Sequence, residues 1–131
     1  MSSLRSAVLA AIGLAVSATG CGSGYNGSST SYPPPPACTA ATATATTAVS
    51  LSGMSFVPSC ITVAKAATIT FTNDTLATNH TVTTDPGQPE AFDSGFIATG
   101  NSFAHTFANA AETVNIHCNV HPGMTATVIV Q

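Results

Sequence analysis

The sequence predicts an all-β fold, a small sandwich of about seven strands, on three observations. Short runs rich in Val, Ile, Phe and Thr recur from about residue 48 to the C-terminus. Turn signals separate them: Asn73-Asp74, Asp85-Pro86-Gly87, Gly100-Asn101 and Pro122-Gly123. No stretch of useful length carries helical periodicity, apart from a weak one expected around Ala108–Glu112.

The expected strands follow in order: Ala48–Leu51, Ile61–Val63, Thr68–Thr72, His80–Thr84, Ser102–Phe107, Thr113–Cys118 and Thr125–Val130. Ile69 with Phe71, and Val128 with Val130, alternate with Thr and Ile as strands with one buried face require. Met54 is expected in the core. A domain this small supports only a marginal core, so a bound metal or a disulfide would add needed stability.

The N-terminus reads as targeting sequence. Met1 to Arg5 is a short basic segment, and Ala7 to Val16 is apolar but too short to span a bilayer. These features make residues 1–20 a signal peptide. Ala18-Thr19-Gly20-Cys21 resembles a bacterial lipobox, which implies lipidation of Cys21 and a membrane anchor, with plain secretory cleavage as the alternative. Gly22 in place of an Asp leans towards the outer membrane or cell surface. The chain is thus expected to be exported, to the periplasm or the surface. Residues 21–47 read as the lipidated Cys and a tether: Gly, Ser, Tyr and Asn, then Pro33 to Pro36, then Ala and Thr. Residues 48–131 form the expected domain.

Charge excludes some functions. Only 5% of residues are charged, and two cations, Arg5 and Lys65, face five acids, Asp74, Asp85, Glu90, Asp93 and Glu112. Nucleic-acid binding needs clustered Lys and Arg to neutralise phosphates, so it is not expected. The acids are scattered and read as ordinary solvated surface rather than a docking patch. No large apolar strip stands out, so a monomer is expected. Neither a nucleophile–base–acid arrangement nor a phosphate loop is evident, and the chain is not expected to be an enzyme.

The cysteines sort by role. Cys21 is the lipid candidate, and Cys118 belongs to a metal cluster. Cys38 and Cys60 remain; an oxidising compartment favours a disulfide between them, with two free thiols as the alternative. Within His117-Cys118-Asn119-Val120-His121-Pro122-Gly123-Met124, the residues Cys118, His121 and Met124 follow a C-x2-H-x2-M spacing. Thiolate, imidazole and thioether in one loop favour copper over calcium, magnesium or manganese, while zinc gains little from Met. A second His is needed, and His80, at the start of an expected strand, supplies it. Two His, one Cys and a weak axial Met are the ligand set of blue copper sites.

Those ligands resemble the cupredoxin family, with loop spacing similar to that of amicyanin and, more loosely, plastocyanin and pseudoazurin. Phe56-Val57-Pro58, Asn79-His80-Thr81-Val82, Phe92-Asp93-Ser94-Gly95 and Phe103-Ala104-His105-Thr106-Phe107 are also similar to segments of small bacterial cupredoxins. The resemblance covers residues 48–131. It implies a cupredoxin-like Greek-key sandwich holding one type 1 copper ion through His80, Cys118, His121 and Met124. It also implies a one-electron carrier cycling between Cu(I) and Cu(II), which meets redox partner proteins through an exposed His121. A copper-handling protein for storage or delivery is the alternative, with other copper-handling proteins as partners.

Two positions depart from the family pattern. Many members carry Asn directly after the first His ligand, where this chain has Thr81, with Asn79 before the His. Lys65-Ala66-Ala67 stands at a turn that usually contains Gly. Strand alternation turns His117 away from the metal, as a surface or sheet-packing residue. The paired H-x-H motifs of multicopper oxidases and copper nitrite reductases are missing, and His105 is expected to be a strand residue without a metal role.

Overall fold

The computed structural model describes residues 37–74, 78–109 and 111–131. Residues 1–20, expected as a signal peptide, Cys21 and the first part of the expected tether lie outside the described residues. Nine strands occur among the described residues: β1 (Thr44–Ala45), β2 (Ala48–Ser52), β3 (Ser55–Val57), β4 (Cys60–Val63), β5 (Thr68–Asn73), β6 (Thr83–Thr84), β7 (Ser102–Thr106), β8 (Glu112–His117) and β9 (Thr125–Val130). They form two mixed sheets, one in the order β1-β4-β9-β8-β6 and one in the order β3-β2-β5-β7. The fold is an all-β sandwich.

Alternation decides which side chains fill it. Val49 and Leu51 of β2, Ile69 and Phe71 of β5, Val114 and Ile116 of β8, and Val128 and Val130 of β9 are buried, while their neighbours face outwards or are half-covered. Phe71 anchors the second sheet's inner face, edge-on to Phe56 with ring centroids 6.4 Å apart and stacked with Phe103 at 6.5 Å. The inward sequence of β8 continues past the strand end: Val114, Ile116 and then Cys118 are all buried. The strand register therefore aims the cysteine into the protein and His117 out of it.

Several expectations change. Residues 38–47 fall on the sandwich rather than on the tether. Thr44–Ala45 pairs in parallel with Ile61–Thr62, and Cys38 is disulfide-bonded to Cys60. The strand expected at His80–Thr84 shrinks to Thr83–Thr84, because Thr81 N–H and Val82 N–H are given to the side chains of Cys118 and Ser94 instead of a strand neighbour. Met54 is not core. It follows Gly53, whose φ of 60° makes the β2–β3 turn, and it is 70% exposed. The segment Ala108–Glu112 is no helix: Ala111 has φ 57°, and Glu112 already belongs to β8. The Gly-less turn between β4 and β5 places Ala66 at φ 62°, held by its N–H donating to Phe107 O at 2.8 Å.

Candidate metal centre

Three segments bring the ligands together. β8 delivers Cys118, the loop before β9 delivers His121 and Met124, and an extended segment ahead of β6 delivers His80. The last segment is tied down by its backbone: His80 N–H donates to Ile97 O at 3.1 Å, and Ile97 N–H returns to His80 O at 2.8 Å. The buried Asn73 carboxamide donates to the carbonyls of Thr78 and Ile97, both at 2.8 Å, and so joins the end of β5 to both sides of this bridge. The ligand loop is closed by Cys118 N–H to Met124 O at 3.0 Å and Met124 N–H to His121 O at 3.1 Å. Gly123 at φ 89° makes that turn possible, since a side chain there would be strained.

The geometry fits a metal. Cys118 Sγ lies 3.8 Å from His80 Nδ1 and 3.7 Å from His121 Nδ1, and all three ligand atoms lie within 4.8 Å of one another. Two bonds of about 2.0 Å to nitrogen and about 2.3 Å to sulfur, opened to a trigonal angle, subtend roughly 3.7 Å. The three atoms thus already stand at the corners of a coordination triangle. Met124 is buried in the same loop, 2% exposed, where a thioether can complete a soft donor set. Thiolate, two imidazoles and thioether fit one type 1 copper ion.

Burial orders the site. His80 is fully buried and Cys118 nearly so, while His121 is half-buried. Burial first, and the neighbouring His121 second, lower the His80 pKa from its ordinary value. Both keep the imidazole neutral, the form that binds metal. The Thr81 N–H donates to Cys118 Sγ at 3.3 Å and so ties the segment after His80 to the cysteine.

The remaining histidines have other partners. His117 points outwards, with Nδ1 2.6 Å from Asp85 Oδ1 and Nε2 2.9 Å from Asn119 Oδ1. His105 lies on the inner side of the edge strand β7, with Nε2 2.8 Å from Glu90 Oε2 and its ring stacked on Phe92 at 3.9 Å. Glu90 is consequently no solvated surface acid: its side chain is only 10% exposed and also accepts from Ala108 N–H at 2.7 Å.

Sequence reasoning missed Asn73, Asn119 and the Thr81 N–H. The first could be suspected from a polar residue in the buried phase of β5. The other two depend on how two segments meet and leave no local signal.

Comparison with known proteins agrees with this geometry. The chain is similar to a purple cupredoxin from Nitrosopumilus maritimus, at 20% identity and a TM-score of 0.58, covering 66% of this chain and 100% of that one. It is similar to an oxidised amicyanin variant at 26% identity and a TM-score of 0.59, over 64% of this chain and 80% of that one. It also resembles a copper-containing nitrite reductase from Thermus scotoductus, at 24% identity and a TM-score of 0.58, but covers 22% of that chain. No curated protein matches the sequence. Residues 43–131 match the copper-binding proteins of the plastocyanin/azurin family. With that match and the His80–Cys118–His121–Met124 site together, the chain belongs to the plastocyanin/azurin family of copper-binding proteins.

Proposed function

We propose that the protein is an exported one-electron carrier, anchored to a membrane through a lipid on Cys21 and held out by the tether, that works as a monomer with redox partner proteins. One observation carries the reading: the ligand atoms are already placed at coordination distances by a buried backbone framework, while His121 alone among the nitrogen and sulfur ligands is partly exposed. Copper, when bound, supplies the one-electron couple. His80 and Cys118, buried and held by the fold itself, would hold copper with little rearrangement on transfer. Met124, buried in the same loop, would serve as a weak ligand that tunes the potential. His121, beside Val120 and Pro122, offers a short route to a partner.

No enzymatic step is assigned. Both ring nitrogens of His117 are engaged, by Asp85 and Asn119, so this histidine beside the cysteine has no free nitrogen for a second metal. Voltammetry of the copper-loaded full chain tests the reading. A reversible one-electron wave with fast self-exchange is the expected result. Irreversible behaviour, with ready transfer of Cu(I) to a chelator, would favour copper delivery instead.

A further inference from the structure

The two residues flanking Cys118 belong to one hydrogen-bonded bracket on the outside of the sheet. Because β8 alternates, His117 and Asn119 project from the same face on either side of the inward cysteine. His117 is held by Asp85, which follows β6 directly, and touches the Asn119 carboxamide oxygen at 2.9 Å. The Asn119 amide nitrogen donates to Thr83 Oγ1 at 3.0 Å and, more weakly, towards Asp93 Oδ2 at 3.4 Å. Asp93 is itself fixed, accepting from Gly95 N–H at 2.8 Å. Meanwhile Asn119 backbone N–H donates to Thr81 Oγ1 at 2.7 Å, and Thr81 backbone N–H donates to Cys118 Sγ at 3.3 Å.

We propose that Asn119 is a positioning residue of the copper site: its side chain, clamped by His117–Asp85 on one side and Thr83 and Asp93 on the other, sets where Cys118 Sγ stands relative to His80. The two residue types explain how. With Thr after His80 and Asn after Cys118, the short hydroxyl makes the inner tie, and the longer carboxamide reaches three outer partners. The inference rests on the copper site alone and stands whether or not the ion carries electrons.

Asn119→Ala tests it, because the backbone N–H to Thr81 survives the substitution and only the bracket is lost. The full-length variant should bind Cu(II) about 10-fold more weakly, the usual scale for losing a partner that orients a ligand. Its thiolate-to-copper bands and electron paramagnetic resonance hyperfine splitting should change, and the metal-free protein should melt close to wild type. Asp85→Asn, which weakens the bracket from its far end, should move the spectrum in the same direction, and the double variant should fall short of the sum of the two. Wild-type spectra and affinity in Asn119→Ala overturn the proposal, as does a weaker affinity matched by an equal loss of stability in the metal-free protein. If Asn119→Ala does not fold, Asp85→Asn decides alone. A wild-type protein lacking thiolate-to-copper colour overturns the site itself and this inference with it.

Discussion

Glu90 and Glu112 show how far a side chain's position can depart from its composition class. Burial raises the Glu90 pKa, but hydrogen bonds from His105 and from the Ala108 and Asn109 amides outweigh it and leave the pKa lowered. Glu112 moves the other way: burial first, then its hydrogen bond and charge repulsion with Glu90, raise it. The lowered Glu90 stabilises the fold above the usual carboxylate range and loses that contribution as pH falls through its folded pKa. The raised Glu112 stabilises only while protonated, below that range, and loses its contribution as pH rises through its folded pKa. Glu112→Gln, a neutral partner that can still donate to Glu90, should therefore raise the melting temperature at pH 7, and the gain should shrink towards pH 4. Glu90→Gln should do the reverse at pH 7. Thermal melts of both variants across this range check the sign; a Glu112→Gln variant less stable than wild type at pH 7 contradicts it. At this scale the ligands were legible in the sequence because three of them share one short loop with a distinctive spacing. The Glu90–His105 pair was not, since fifteen residues and a non-repetitive loop separate the two.

Elements were legible in proportion to their length and alternation. β2, β4, β5, β7, β8 and β9 carry two or more alternating apolar positions or long Thr-rich runs, and all were expected close to where they lie. β1 is two residues of Thr and Ala, and β3 three residues after a turn; each gains its strand character from a neighbour rather than from its own pattern. The segment from His80 to Val82 has strand-like composition but spends its amides on the site, and composition cannot reveal that. The β4–β5 turn carries a testable cost. Ala66 sits in the left-handed region at φ 62°, where a Cβ costs about 1–2 kcal/mol. Glycine would remove that strain but lose about 0.5–1 kcal/mol to unfolded-state entropy. Ala66→Gly should therefore gain up to about 1 kcal/mol in denaturant unfolding. A loss of stability would show that this turn carries no such strain.

For the whole molecule, the sequence suggested that a small core needs help, and the structure supplies it by a disulfide and by ligands that can share an ion. Cys38 and Cys60 are 22 residues apart and join the segment before β1 to the first residue of β4. Replacing both by Ser should cost about 3 kcal/mol through the freed unfolded chain. Chemical denaturation measures this directly, and a loss below about 1 kcal/mol would mean that the bridge constrains little.

The central claim is that His80, Cys118, His121 and Met124 hold one copper ion with the cysteine as thiolate. The visible spectrum of the full chain titrated with Cu(II), beside that of Cys118→Ser, tests it most directly. The account predicts an intense thiolate-to-copper absorption that saturates at about one equivalent and vanishes in the variant. A protein that stays colourless, or colour that survives the substitution, would contradict it.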